Sequence, residues 1–325
     1  MMRAQIVGTG SYLPQKVLTN AELAKMVDTS DEWIFDRTGI RERRIAGPDE
    51  ATSDLAMHAS KRALDMAGVS PMELDIIIVA TVTPDMPMPA AATLLAHKLG
   101  AKKAFAFDVS AACTGSLLGL SVAQQYIASG AAKRILVVGA DCFTRAVNWK
   151  DRSTCILFGD GAAAMVLAPH DTRGLLTTHL YTDGSQLDLL TIPAGGSKLP
   201  ASEVTLRDDL HSVKMNGKEV FKFAVRALTE AVKVCLEANA VKGEDVAALI
   251  PHQANVRILD AVCERLSIPR ERAFVNIHKY GNTSAASLPI ALDEAVRSGK
   301  IKEGDLVALM AIGAGMVWGA GLVRW

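Results

Sequence analysis

Cys113, His252 and Asn282 have the residue types and the spacing that covalent acyl transfer needs. They stand out because the chain is partly written twice. The segment AFAFDVSAACTGS at 104–116 resembles AFVNIHKYGNTSA at 273–285, and an offset of 169 residues lays Cys113 over Asn282. The same offset lays Thr83, closing the apolar run LDIIIVATVT, over His252 in VAALIPHQAN, and Ser129-Gly130 over Ser298-Gly299. A thiol, an imidazole and an amide at matching loop positions are a nucleophile, a proton-transfer or hydrogen-bonding group, and an amide donor. Cys113 follows an apolar strand and opens the small-residue helix TGSLLGLSVAQQYIAS. At that junction the positive end of the helix dipole is expected to lower the thiol pKa and favour the thiolate. The turn Gly313-Ala314-Gly315 can bring backbone N–H groups close to a reacting carbonyl, as an oxyanion hole requires. Cys142, Cys155, Cys235 and Cys263 read as buried structural thiols, and no His/Cys/Asp cluster has metal-ligand spacing, so no metal is expected.

Apolar runs position these groups. Ile76–Val82, Ala104–Val109, Ile135–Gly139 and Ala163–Leu167 form one series; Ala247–Ile250, Ala273–Ile277, Leu306–Ala311 and Val317–Val323 form another. They do not alternate, so both sheet faces should be covered. Helical patterns lie between them at Ser53–Ala67, Ala90–Leu99, Gly115–Ala128, Val220–Ala238, Val256–Leu266 and Ser284–Val296. Strand–helix alternation in two halves predicts an α/β fold with helices layered on two mixed sheets. TIPAGGSKLPASEV at 191–204 reads as the principal loop, and no linker separates the halves. Gly8-Thr9-Gly10 has Leu13 where a dinucleotide loop needs a third glycine, and is a turn.

Composition narrows the class. With 35 basic and 35 acidic residues the net charge is zero, which argues against nucleic acid held by bulk charge. Five cysteines without CxxC spacing read as reduced thiols in a cytosolic protein. MMRAQIVGTGSYLP carries no signal-peptide pattern, and uncharged Leu306–Val323, rich in glycine, reads as two buried strands rather than a membrane span.

The chain resembles the β-ketoacyl-acyl-carrier-protein synthase III family of the thiolase-like superfamily. The resemblance is carried by GTGSYLP at 8–14, TSDEWI at 29–34, RTGIRER at 37–43, DVSAAC at 108–113, FGDGAA at 158–163, PHQAN at 251–255, GNTSAAS at 281–287 and WGAGLVRW at 318–325. It implies a pseudo-duplicated fold layered α-β-α-β-α on two mixed five-stranded sheets. Residues 1–172 would carry the nucleophile, and 173–325 the histidine and asparagine. It also implies a ping-pong condensation without a cofactor. Cys113 takes an acyl group from acyl-CoA; malonyl-acyl-carrier protein then decarboxylates, and its carbanion attacks the acyl-cysteine. His252 and Asn282 would hydrogen-bond the malonyl thioester carbonyl, and the N–H groups of Cys113 and Gly315 would form the oxyanion hole. The Cys-His-Asn set is that of the initiating members; chain-elongating relatives carry Cys-His-His.

For CoA the matching positions are Trp33 and Arg152, which would sandwich the adenine, with Arg37, Thr38, Gly217, Phe221 and Asn255 along the tunnel. Lys222, Arg257 and Arg265 fall where relatives present a basic patch to the carrier protein, interrupted here by Glu264. Met88 falls where relatives reach across a homodimer interface to floor the acyl pocket, and Ile312 and Ala314 replace residues that often read Phe and Gly. Competing readings are a specialised-metabolism relative with another starter, and a non-catalytic acyl- or carrier-binding protein, which would have no need of the intact Cys-His-Asn set.

Overall fold

The structure, a computed structural model, describes residues 2–325. Nine strands make the two main sheets: β1 (Arg3–Tyr12), β2 (Ile76–Ala80), β3 (Phe105–Val109), β4 (Ile135–Asp141), β5 (Gly161–His170), β6 (Gly174–Thr182), β7 (Ala248–Pro251), β8 (Leu306–Gly313) and β9 (Val317–Arg324). Seven longer helices accompany them: α1 (Asp31–Thr38), α2 (Thr52–Ala67), α3 (Ala91–Leu99), α4 (Gly115–Ala128), α5 (Gly217–Ala238), α6 (Val256–Leu266) and α7 (Ser287–Arg297).

The first sheet runs β1-β5-β4-β2-β3, with β1, β5 and β4 antiparallel in turn and β4, β2 and β3 parallel. The second runs β6-β9-β8-β7 with the same senses: antiparallel, antiparallel, parallel. It has four strands where five were expected. At the fifth place only Ala273 bridges Leu249, in parallel, because Asn276 already enters the short helical turn Ile277–Tyr280. The uncharged stretch is β8 and β9, paired from Leu306–Arg324 to Gly313–Val317. Among the described residues no helix is long and apolar enough to cross a membrane.

Burial explains the layers. α2 and α3 cover the outer face of the first sheet, and α5 and α6 that of the second. α4 and α7 lie between the sheets, where Leu117, Leu120, Ala123, Leu288, Ala291 and Leu292 meet β2, β4, β7 and β8. A helix segment sandwiched between two sheets has no room for a polar face, which is why α4 opens apolar and small, GSLLGLSVA, before Gln124 and Gln125. Gly119 permits the contact, since a Cβ there would stand 2.8 Å from Val137 Cγ1.

The internal repeat is present, but its register differs from the sequence reading. β2 and β7 start at 76 and 248, the tight turns Ala112–Thr114 and Ser284–Ala286 at 112 and 284, and α4 and α7 at 115 and 287, a shift of 172 each time. In that register Cys113 matches Ala285, and Ala112 matches Ser284, both with left-handed backbone (φ +45° and +52°). α4 has 14 residues and α7 has 11, which restores the 169 offset at Ser129-Gly130. So Asn282 is not the counterpart of Cys113; it precedes the counterpart turn.

Each turn packs against a glycine of the other sheet. A Cβ on Gly313 of β8 would sit 2.6 Å from the Cys113 nitrogen, and one on Gly139 of β4 would collide with the Ala285 carbonyl oxygen. Gly139→Ala is expected to lower stability by about 1–3 kcal/mol, the usual cost of overpacking, read as a fall in the thermal midpoint.

Candidate active site

Cys113 is buried, 5 % exposed, on the turn between β3 and α4. His252 follows β7; its N–H donates to Met310 O on β8 at 2.7 Å. Asn282 is held by its backbone, its N–H donating to Leu157 O at 2.8 Å and its carbonyl accepting from Gly159 N–H at 3.0 Å. Its side-chain oxygen accepts from Ser284 N–H at 2.9 Å, which leaves the amide NH2 as the group free to donate.

These three residues line one cavity of about 510 Å³, together with Phe158, Phe221 and Ile312. Cys113 also lines a second, largely apolar cavity of about 480 Å³ with Val82, Phe143, Phe158, Ala314 and Gly315. Phe143 and Phe158 stack there, ring centroids 4.3 Å apart. The sulfur therefore stands at a junction, with polar donors on one side and an apolar pocket on the other. Gly315 takes φ +74° in the β8–β9 turn, a conformation that glycine adopts without strain.

Electrostatics correct one expectation. Burial pushes the Cys113 thiol up to about 12, and the nearby Asp141 charge adds to it, while hydrogen bonding to Ser284 and Asn282 acts the other way. The helix dipole does not prevail, because desolvation of a fully enclosed thiolate is the larger effect. Cys113 rests as a thiol. Burial likewise drives the His252 pKa down to about 3, and its Nδ1 has no partner among the described residues. The imidazole is neutral at physiological pH and acts in hydrogen bonding rather than as a cation.

That shift has a consequence for stability. Between about 6.5 and about 3 the unfolded chain protonates this imidazole and the folded one does not. His252 thus opposes folding increasingly as pH falls through that window, by about 1.4 kcal/mol per unit, and not at all above it. Replacing His252 by Asn should flatten the acid limb of stability against pH by one proton, measured by denaturant unfolding.

Of the other residues singled out in the sequence, Arg37, Thr38, Gly217, Phe221, Asn255 and Arg257 line the first cavity. Thr38 is committed: its hydroxyl donates to Ile34 O at 2.7 Å and accepts from Ile40 N–H at 3.0 Å. Asn255 caps α6 by accepting from Arg257 N–H at 2.9 Å, and it donates to Arg37 O at 2.9 Å, tying α6 to α1. Trp33 and Arg152 are together, but directly stacked: the guanidinium carbon lies 4.8 Å from the ring centroid, and that of Arg37 lies 4.3 Å away. Arg152 also donates to Asp28 O at 2.7 Å. Lys222, Glu264 and Arg265 are exposed on α5 and α6, Lys222 paired with Glu219 at 2.8 Å. Met88, 84 % exposed, lines neither cavity of its own chain.

Sequence reasoning missed three groups. Ser284 lies inside the quoted GNTSAAS motif, its oxygen 3.8 Å from the Cys113 sulfur. Asp141 ends β4 fully buried; a charge closing an apolar strand at the site edge of the sheet was the available signal. Arg43, buried without a carboxylate partner, donates to Ile156 O at 2.8 Å, Asn20 Oδ1 at 2.9 Å and Leu18 O at 3.1 Å, and props the segment that holds Asn282. Among the described residues no cluster of His, Cys, Asp and Glu could hold a metal ion.

Two like sheets, with a buried cysteine at their junction, define the class: a condensing acyltransferase of thiolase-like fold. Profiles described as 3-oxoacyl-(acyl-carrier-protein) synthase III and its C-terminal part match residues 107–184 and 236–325. The beta-ketoacyl-(acyl-carrier-protein) synthase III of Caldanaerobacter subterraneus subsp. tengcongensis is 52 % identical over 99 % of this chain and 98 % of that protein. The synthase III of Symbiobacterium thermophilum is 53 % identical over 98 % of this chain and 97 % of its own. The crystal structure of 3-oxoacyl-(acyl-carrier-protein) synthase III from Aquifex aeolicus covers 99 % of this chain and 100 % of its own at 50 % identity, with a TM-score of 0.92. The chain belongs to the 3-oxoacyl-(acyl-carrier-protein) synthase III family, and performs the initiating condensation of fatty acid synthesis.

Proposed function

We propose that Cys113 takes an acyl group from acetyl-CoA or another short acyl-CoA and passes it, through decarboxylative condensation, to malonyl-acyl-carrier protein. The observation that carries this reading is the junction itself: Cys113 shares one cavity with His252 and Asn282, and a second, apolar one with Gly315. The apolar side suits the acyl chain, and the polar side suits the thioesters. Backbone N–H groups of Cys113 and Gly315 stabilise the oxyanion of acyl transfer; His252 and the Asn282 amide stabilise the enolate of decarboxylation. Residues 1–172 act as the nucleophile-bearing half, and 173–325 as the half that supplies the donors.

Trp33 and Arg152 bind the adenine of CoA, the stacked Arg152 swinging aside to admit it, with Arg37, which lines the first cavity, at the start of the tunnel. Thr38, Gly217, Phe221 and Asn255 line the path for the pantetheine arm. Lys222, Arg257 and Arg265 face the acidic carrier protein. The enzyme works as a cytoplasmic homodimer without a cofactor or metal, and Met88 floors the acyl pocket of the partner subunit.

A panel of acyl-CoA primers incubated with malonyl-acyl-carrier protein tests the reading. The expected result is a 3-oxoacyl-carrier protein from the short primers. Acylation of the enzyme without any condensed product from any primer would remove the condensation step.

A further inference from the structure

Gln253 follows His252 directly, yet it is buried and lines neither cavity. Its side-chain amide uses every hydrogen-bonding position it has, and always with backbone groups. The Oε1 oxygen accepts from Asn276 N–H at 3.1 Å and from Ile277 N–H at 3.2 Å. The Nε2 group donates to Pro251 O at 3.0 Å and to Phe274 O at 3.0 Å. These partners fix the orientation of the amide, since the N–H groups can only donate and the carbonyls can only accept. The backbone N–H of Gln253 donates to the hydroxyl of Ser287, the first residue of α7, at 2.7 Å.

These bonds stand where a sheet ladder is missing. Phe274 N–H donates to Leu249 O at 2.9 Å, and there the backbone pairing of β7 with the segment at 273–277 ends. Gln253 carries the pairing on from a side chain, gripping Phe274, Asn276 and Ile277. On its own side it governs His252: Ala254 N–H donates to His252 O at 3.1 Å, closing a three-residue turn with Gln253 at its centre. On the far side Ile277 opens the helical turn Ile277–Tyr280, whose end is tied back by Gly281 N–H donating to Ile277 O at 2.9 Å. Asn282 is the next residue. One amide therefore spans from the strand end that carries His252 to the base of the turn that carries Asn282. Among the described residues no other side-chain hydrogen bond joins these two segments.

We propose that Gln253 is a positioning residue for decarboxylation, setting the separation and aim of His252 and Asn282 without touching the substrate. This rests on those two residues being the donors to the enolate oxygen. Two donors that converge on one oxygen tolerate little error in their separation, because preorganised donors stabilise developing charge only at hydrogen-bonding distance. Their other anchors belong to different parts of the fold. His252 hangs from β8 through its N–H to Met310 O at 2.7 Å, whereas Asn282 is bonded to Leu157 and Gly159. Cys113 sits on the turn between β3 and α4 and shares none of these bonds, so the acyl step does not depend on Gln253. A neutral amide is the group the place requires. A carboxylate would keep the contacts to Asn276 and Ile277 but turn an acceptor on two carbonyls, and a methionine would fill the volume without a donor.

The test uses the full chain and two single-turnover reactions: acylation of Cys113 by acetyl-CoA, and condensation started by adding malonyl-acyl-carrier protein to the isolated acetyl-enzyme. Gln253→Glu and Gln253→Met are each expected to slow condensation about 10- to 100-fold, with acylation within about threefold of the parent. The half-saturating concentration of malonyl-acyl-carrier protein should not change. In an Asn282→Ala background the same substitutions should cost less than about threefold more, because no second donor remains to be held in register. Equal slowing of both reactions, or a loss in Asn282→Ala as large as in the parent, would assign Gln253 to general stability and overturn the proposal. Condensation at the parental rate in both variants overturns it too. If Gln253→Met does not fold, Gln253→Glu decides; if neither folds, Gln253 serves folding and the positioning role falls. Unimpaired condensation in His252→Ala and Asn282→Ala is a separate outcome, and it would sink the donor assignment itself.

Discussion

Cys113→Ala is expected to abolish acylation by acyl-CoA and to leave condensation below one part in about a thousand of the parent rate. The side chain has no substitute. Cys142, Cys155, Cys235 and Cys263 are all buried, and none lines either cavity at the junction. Burial pushes Cys142 up to about 12 and Cys235 to about 11, so neither offers a thiolate near neutral pH. Ser284, whose oxygen lies 3.8 Å from the Cys113 sulfur, lines neither cavity. The fold should be nearly untouched, because a buried thiol behaves as a small apolar group and alanine fits its place. Unchanged thermal unfolding with lost labelling separates chemistry from stability. A substantial residual rate would mean that the acyl group passes through some other atom.

His252→Ala and Asn282→Ala should behave differently from that variant. Each is expected to slow decarboxylation and condensation about 100- to 1,000-fold while leaving acylation of Cys113 within a few-fold of the parent, as measured by single-turnover labelling. The split follows from what the two groups are. His252 is neutral, its pKa driven down to about 3 by burial, so it gives a hydrogen bond rather than a charge. Asn282 has its oxygen occupied by Ser284 N–H at 2.9 Å, which turns its NH2 outward as a donor. Both donors serve an oxygen that gains charge only when malonate loses carbon dioxide. The double variant should lose less than the product of the single losses, since the two donors share one oxygen. Asn282→Asp should fare at least as badly as Asn282→Ala, because a buried carboxylate replaces a donor with an acceptor facing the same enolate.

Much of this was legible in the chain. The continuous apolar runs marked the strands of the sheet interiors, since strands covered on both faces have no polar side to display. β1 and β6 escaped notice because each lies at a sheet edge and RAQIVGTGSY and GLLTTHLYT mix polar and small residues instead of forming an apolar run. The repeat was visible but out of register by three residues, because α7 is three residues shorter than α4 and the clearest matching pair, Ser-Gly, lies beyond both helices. The offset therefore paired the right residues for the wrong reason. Cys113, His252 and Asn282 meet because opposite halves pack turn against glycine, not because they are repeats of one another. The thiol's ionisation could not be read at all from sequence, since burial and the Asp141 charge are properties of the assembled core. Asp141 was hidden for the same reason: its donors come from residues 81–83 and from Ala285, far apart in the chain.

Peptide mass spectrometry after brief exposure to acetyl-CoA tests the central claim most directly. The account predicts one acetyl group on the Cys113 peptide in the parent, His252→Ala and Asn282→Ala proteins, and none anywhere in Cys113→Ala. An acetyl group on another residue, or no adduct in the parent, would contradict it.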